Sequence, residues 1–195
     1  MALFRSILWS DSLPAIEGKG VFLREPRQID YVGWSRLREQ SRSFLAPWEP
    51  TWPEDDLTRT AFRRRLQRYT RDQQADLGYA FLIFRATDGA VVGGATLNNV
   101  RRGVAQAASL GYWMGEPFAR HGYMTAALGA LMPFAHVALR LKRIEAACLP
   151  HNAASVRLLE KLKFTREGYA RKYLCIAGEW QDHILFARVA DDPLP

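Results

Sequence analysis

The residues best suited to chemistry lie at two strand-to-helix junctions. The first reads Leu110-Gly111-Tyr112-Trp113-Met114-Gly115-Glu116-Pro117-Phe118-Ala119-Arg120-His121-Gly122-Tyr123-Met124-Thr125. A strand ends near Met114, a short loop carries Arg120 and His121, and a helix opens at or near Gly122. Successive unpaired N–H groups at such a start, with the positive end of the helix dipole, form an anion site. Gly122 lets a phosphate approach the backbone with no Cβ in the way. The same residues also describe an ordinary tight turn, and the pattern alone leaves both readings open. No Gly-x4-Gly-Lys-Ser/Thr loop occurs, which disfavours nucleoside triphosphate chemistry. The second junction, Arg143-Ile144-Glu145-Ala146-Ala147-Cys148-Leu149-Pro150-His151-Asn152-Ala153-Ala154-Ser155, is a strand running into a helix capped by Asn152.

The elements that must position these junctions follow from periodicity. Val21 to Leu23 reads as a first strand, and Asp30 to Gln40 as a helix through Trp34 and Leu37. Phe44 to Pro53 holds three prolines and cannot form a regular helix. Asp56 or Thr58 caps a second helix with Phe62, Leu66 and Tyr69 on one stripe. Tyr79–Phe84 and Val91–Leu97 flank Thr87-Asp88-Gly89, a hairpin signal, and Ala107–Met114 is the next strand. A helix from Gly122 to Leu139 contains Pro133, which predicts a local bend. Ile144–Leu149 is a strand, Asn152–Leu162 a helix, and Tyr169–Ile176 with Trp180–Ala187 a closing pair. The order is mixed α/β with a largely antiparallel front half, not a doubly wound nucleotide fold.

Composition bounds the function. The 195 residues are 48% hydrophobic and 24% charged, which suits a globular chain rather than a disordered one. That length most simply makes one domain, and no repeat or Gly/Ser-rich linker divides it. Two cysteines, Cys148 and Cys175, predict reduced thiols in a cytoplasmic protein. Residues 1–10 are too short an apolar stretch for a signal-peptide core, and Ala126 to Leu139 is too short to span a bilayer, so no membrane partner is expected. Four His and two Cys lack metal-ligand spacing, and no Gly-x-Ser-x-Gly elbow supports a hydrolase. A net charge of +7, from 27 Lys and Arg against 20 Asp and Glu, suggests RNA or an anionic cofactor.

Three signatures carry a family resemblance: GYW-x5-AR-x-GYMT from Gly111, RIEA-x3-P-x-N-x-AS from Arg143, and YL-x-I-x-G-x-W-x-DH from Tyr173. The segment FL-x-PWEP-x-W from Phe44 agrees with them. The chain resembles the GNAT superfamily of acetyl-CoA-dependent N-acetyltransferases, and within it the Rim-type (RimJ-like) enzymes that acetylate the N-terminal alanine of ribosomal proteins. The resemblance implies a central, mostly antiparallel sheet, splayed between two strands and flanked by helices. It runs from about Gly20 onward, with an N-terminal extension over 1–19, a single domain over 20–190 and a tail over 191–195.

The resemblance also assigns roles. The backbone of His121, Gly122, Tyr123, Met124 and Thr125 would hold the CoA pyrophosphate, with Arg120 and His121 supplying side-chain charge. The family loop Gln/Arg-x-x-Gly-x-Gly/Ala is matched only at Gly122, because Ala119 and Met124 occupy its other fixed positions. Pantetheine would pair with the backbone at Trp113 and Met114, where an N–H can also polarise the thioester carbonyl. Ser155 resembles the proton donor to the departing thiolate, and Asn152 a contact to acetyl-CoA or substrate. Both are equally well explained as parts of the helix cap. The carboxylate that some relatives use as general base falls at Leu174, so that base is absent. Glu145 and Glu116 are the substitutes, with a sheet-supporting ion pair and a solvated loop residue as their plainer readings. Tyr169 and Tyr173 could donate a proton, but core packing is the simpler expectation for each.

Two further features suggest partners. Trp48 and Trp52 could line the acceptor groove or pack under the prolines. Arg59, Arg63, Arg64, Arg65, Arg68 and Arg71 form either a solvated helix face or a contact to the ribosome or rRNA. The expected activity is acetyl transfer to the N-terminal alanine of a ribosomal protein, by a monomer or homodimer and without a metal. The alternatives are a small-amine acetyltransferase, or a non-catalytic ribosome- or RNA-binding module on the same fold.

Overall fold

The computed structural model describes residues 13–193, so most of the expected N-terminal extension and the last two residues of the tail lie outside the described residues. One eight-stranded sheet organises the chain in the order β1-β2-β3-β4-β5-β6-β8-β7. The strands are β1 (Ile16–Gly18), β2 (Val21–Arg24), β3 (Tyr79–Arg85), β4 (Val91–Arg101), β5 (Ala107–Met114), β6 (Arg143–Cys148), β7 (Thr165–Ile176) and β8 (Glu179–Val189). The helices are α1 (Tyr31–Gln40), α2 (Arg42–Leu45), α3 (Arg59–Gln74), α4 (Tyr123–Pro133) and α5 (Ala153–Lys161). All neighbours pair antiparallel except β5 and β6, which α4 joins as a crossover.

Alternation along the strands sorts the core into two clusters. Phe81 and Ile83 of β3 pack with Leu128 and Leu131 of α4 and Leu159 of α5 on one face. Leu82 and Phe84 meet Trp34 of α1 and Phe62 of α3 on the other. With helices on both faces, β3 is apolar along its length and buried from Tyr79 to Phe84. Thr58, rather than Asp56, caps α3, its Oγ1 accepting from the Ala61 N–H at 3.2 Å.

Several expectations are corrected. The sheet begins before residue 20, because β1 pairs with β2 from Ile16 to Gly18; three residues are too short a run to show a period. The Phe44–Pro53 segment forms no regular helix, as expected: it takes in only the last two residues of α2 and a 3-10 turn, Ala46–Trp48. The long helix ends its α-helical part at Pro133, and Phe134–Ala138 continues as a π turn in which the Leu139 N–H donates to Phe134 O. Proline's missing N–H breaks the normal hydrogen-bond ladder at that point, and the wide turn absorbs the break. Tyr169 and Tyr173 are not core residues, being 51% and 47% exposed. They lie on β7, which ends the sheet and has no partner on its other side among the described residues.

Candidate active site

β5 and β6 pair only at Ala107–Arg143, Ala108–Ile144 and Ser109–Glu145. Beyond Ser109 the two strands separate, while β5 stays paired to β4 as far as Gly93–Met114. The edge of β5 that faces the gap, Leu110 to Met114, therefore offers backbone groups to an extended ligand, as an unpaired sheet edge does. Consecutive residues of that edge project to opposite faces. Tyr112 packs against the α4/α5 cluster, and Trp113 against the α1/α3 cluster. A Cβ at Gly94 would come 2.5 Å from Trp113 Nε1, so glycine is what lets the Trp113 ring lie against β4.

At the end of β5 a 3-10 turn, Glu116–Phe118, leads through Ala119 into a left-handed loop, with φ 63° at Arg120 and 82° at Gly122. α4 then starts with no side-chain cap, and the N–H groups of Tyr123, Met124 and Thr125 find no acceptor among the described residues. His121 folds back, its Nδ1 lying 2.8 Å from Ala119 O. An uncapped helix start beside two exposed cationic or polar side chains fits a diphosphate.

Across the gap, α5 is capped by Asn152, whose Oδ1 accepts from the Ser155 N–H at 3.0 Å. Ser155 sits in the first turn of α5, and its Oγ lies 2.5 Å from the Tyr112 hydroxyl. Burial makes the Tyr112 phenol harder to ionise, against a smaller opposite effect of the Ser155 hydrogen bond. Cys148 is held by burial above its ordinary value, with Ser155 hydrogen bonding opposing the shift. The family resemblance pointed to Ser155 but did not include Tyr112. The available signal was its place in the Gly111-Tyr112-Trp113 run, one residue from the expected pantetheine contact.

The two candidate bases have different surroundings. Glu145 accepts from Arg101 at 2.5 Å and from Arg143 at 2.9 Å, and Arg143 also pairs with Glu167. Burial raises the Glu145 carboxyl, but the bonds and charges of Arg143 and Arg101 outweigh it and leave it below 4.5. It stands where β5 and β6 still pair, at the closed end of the gap. Glu116 is exposed just after β5, and its backbone N–H donates to Ser41 Oγ at 2.9 Å.

The aromatic segment is fastened to the sheet. Trp48 packs against His151 in a tilted pair with centroids 5.5 Å apart, and Glu49 O accepts from the Ala177 N–H in the β7–β8 turn at 2.9 Å. Trp52 Nε1 donates to Glu49 at 2.7 Å. Among the described residues no group of three or more His, Cys, Asp or Glu side chains could hold a metal ion, and no helix is long and apolar enough to cross a membrane.

The acetyltransferase (GNAT) domain family matches residues 21–165. The chain belongs to the GNAT acetyltransferase family. Its fold agrees with that family as the sequence resemblance implied, with the mostly antiparallel sheet opening between β5 and β6. The [ribosomal protein uS5]-alanine N-acetyltransferase of Escherichia coli (strain K12) is 35% identical over 156 residues, 80% of each chain. The RimJ structure of Mycobacterium smegmatis in complex with CoA-disulfide is 31% identical with a TM-score of 0.86, covering 94% of this chain and 89% of that one. The ribosomal-protein-S5-alanine acetyltransferase of Vibrio fischeri has the same TM-score at 29% identity, covering 94% of this chain and 100% of its own. The chain is thus a GNAT acetyltransferase of the Rim type.

Proposed function

We propose that this acetyltransferase uses acetyl-CoA to acetylate the N-terminal α-amine, of alanine, on a ribosomal protein. The observation that carries the reading is the hydroxyl pair Tyr112–Ser155 at the gap between β5 and β6, in a chain 35% identical to a uS5-alanine enzyme. In this reading the N–H groups from His121 to Thr125 hold the CoA pyrophosphate, and Arg120 adds charge. Pantetheine pairs with the open edge of β5 at Trp113 and Met114. The neutral amine attacks the acetyl carbon, the C–S bond breaks, and Ser155 donates a proton or hydrogen bond to the departing thiolate. Tyr112 hydrogen-bonds to Ser155 and can restore its proton. Asn152 spends its Oδ1 on the cap and keeps its NH2 group for the cosubstrate.

The attacking amine needs no strong base, since an α-amine titrates near about 8 and water can take its proton. Two arginines on Glu145 make it a poor acceptor, which leaves Glu116 and water for this step. Trp48 and Trp52, fastened at His151 and Glu49, form the acceptor wall. On α3, Arg64 and Arg65 are engaged by Asp55 and Asp56, while Arg59 lies over the Tyr31 ring and Arg68 over Tyr69. Arg59, Arg63, Arg68 and Arg71 are exposed with no ion pair among the described residues, and they are the charges offered to rRNA. Acetyl-CoA turnover on peptides starting Ala, Ser and Met, beside free amines, tests the acceptor. Ala or Ser peptides should lead, and turnover confined to free amines would overturn the ribosomal reading.

A further inference from the structure

On the α1/α3 face of the sheet lies a cavity of about 220 Å3, walled by Trp34, Phe62, Tyr69 and Trp113 and by the side chains of Arg38 and Arg65. Arg38 is 6% exposed, and its guanidinium lies 4.0 Å from the Trp52 centroid and 4.9 Å from that of Trp113. Its two terminal nitrogens bind Glu49 at 2.7 Å each, but its buried Nε–H has no partner among the described residues. Arg65 repeats the arrangement. It donates to Asp56 at 2.5 Å, its guanidinium carbon lies 5.2 Å from the Trp34 centroid, and its buried Nε–H is also without a partner among the described residues; the other unpartnered atom of this pair, Asp56 Oδ2, belongs to a residue that does not line the cavity. Two lone donors on one cavity call for an acceptor atom, because a buried N–H left unpaired is costly.

We infer that this cavity is a recognition pocket for the first residue of the acceptor, reading one neutral oxygen of it through Arg38 and Arg65. This rests on the acetyl-transfer reading above and deepens it by naming the chemistry of the acceptor. The charges decide the class of group. Two guanidiniums face two carboxylates, Glu49 and Asp56, so the site has no surplus positive charge for a carboxylate or phosphate. A carbonyl or hydroxyl oxygen on a small apolar body suits the donors and the aromatic walls together. Trp113 supplies the link to the chemistry. Its backbone belongs to the open edge of β5, and its ring lines this cavity, on the face opposite Tyr112 and Ser155. The acceptor thus enters from one face of the sheet while the thiolate leaves toward the other.

The oxygen has two possible sources, the carbonyl of the first peptide bond and a side-chain hydroxyl. Steady-state kinetics of the intact protein separates them with three acceptors: an alanyl peptide, its trans-alkene isostere lacking the first carbonyl, and the seryl peptide. Each is compared in the wild type and in Arg65→Lys, which keeps a positive charge for Asp56 and removes the Nε–H. The expected result is an acceptor KM raised about 5- to 15-fold by Arg65→Lys, the value of one hydrogen bond. The rise should be confined to acceptors carrying the oxygen, with kcat and the acetyl-CoA KM unchanged. A rise for both natural peptides but not the alkene assigns the carbonyl; a rise for the seryl peptide alone assigns the hydroxyl. Equal change on all three acceptors, or none, would overturn the pocket and return the cavity to water. Ala80→Leu is the second variant, since Ala80 lines the same cavity and the larger side chain fills it. An unchanged acceptor KM there would also sink the inference. Should only small amines be acetylated, the ribosomal reading fails by itself. The pocket is then tested by 2-aminoethanol against propylamine in the same enzymes.

Discussion

Tyr112 and Ser155 approach to 2.5 Å across the gap where β5 and β6 part. Neither residue's local sequence announces the other, 43 positions away. The contact joins the strand edge expected to hold pantetheine to the first turn of α5. Tyr112→Phe and Ser155→Ala should each lower turnover about 100-fold, the low end of the range for proton donation, with little change in acetyl-CoA affinity. The double variant should lose little more than the worse single one, because the two hydroxyls act as a unit. Steady-state kinetics beside CoA calorimetry checks this. Unchanged turnover in both variants would return Ser155 to the helix-cap role.

The pH dependence of peptide acetylation should follow the acceptor. Below about pH 8, kcat/KM should rise about tenfold per pH unit and then level off, as the α-amine loses its proton. An inflection between about pH 4 and 6 would instead point to a carboxylate of the enzyme.

Glu145→Gln separates structure from catalysis. Turnover should stay within a few-fold of wild type, since two arginines already occupy the carboxylate. Stability should change with a definite sign. The folded-state pKa of Glu145 lies below its ordinary 4.5, so its contribution is complete above that pH and is lost as pH falls through the folded value. Urea midpoints for wild type and variant should therefore differ at pH 7 and converge in acid. Equal midpoints at pH 7 would show that the ion pairs add nothing to stability.

Gly122→Ala should weaken acetyl-CoA binding. An added Cβ meets nothing within 4 Å, so the cost is the left-handed backbone at φ 82°. That is worth about 1–2 kcal/mol, or about 5- to 30-fold in affinity if all of it falls on the bound loop. Calorimetry with CoA measures it, and unchanged affinity would remove the loop from the pyrophosphate site.

Replacing Arg63, Arg68 and Arg71 by Gln should reduce ribosome co-sedimentation and flatten its salt dependence. The same change at Arg64, already paired with Asp55, should matter less. Association that is insensitive to salt in the wild type would leave α3 a solvated face.

Much of the scaffold was readable in the chain. The apolar run Tyr79–Phe84 and the turn residues after it specify β3 and the hairpin, because strand burial and turn geometry are local demands on residue type. Gly122 before an apolar helix, and Asn152 three residues before Ser155, are likewise local, and both occupy the cap positions of their helices. What local pattern could not carry is which side chains meet across the sheet. The bond of Tyr112 to Ser155, the pairing of Glu145 with Arg101 and the stacking of Arg38 between Trp52 and Trp113 all join residues far apart in sequence. The same limit explains the exposed Tyr169 and Tyr173: aromatic residues in a strand read as core until the sheet order puts that strand at its edge. The net charge of +7 is the plainest case. As a sum it suggested RNA or an anionic cofactor; ion pairing leaves the sum unchanged, but the fold decides where the excess sits by committing Arg24, Arg38, Arg65, Arg101, Arg102 and Arg143 to carboxylates. Residue types set the net charge, but only packing decided which cations pair with the protein's own carboxylates and which remain for a partner.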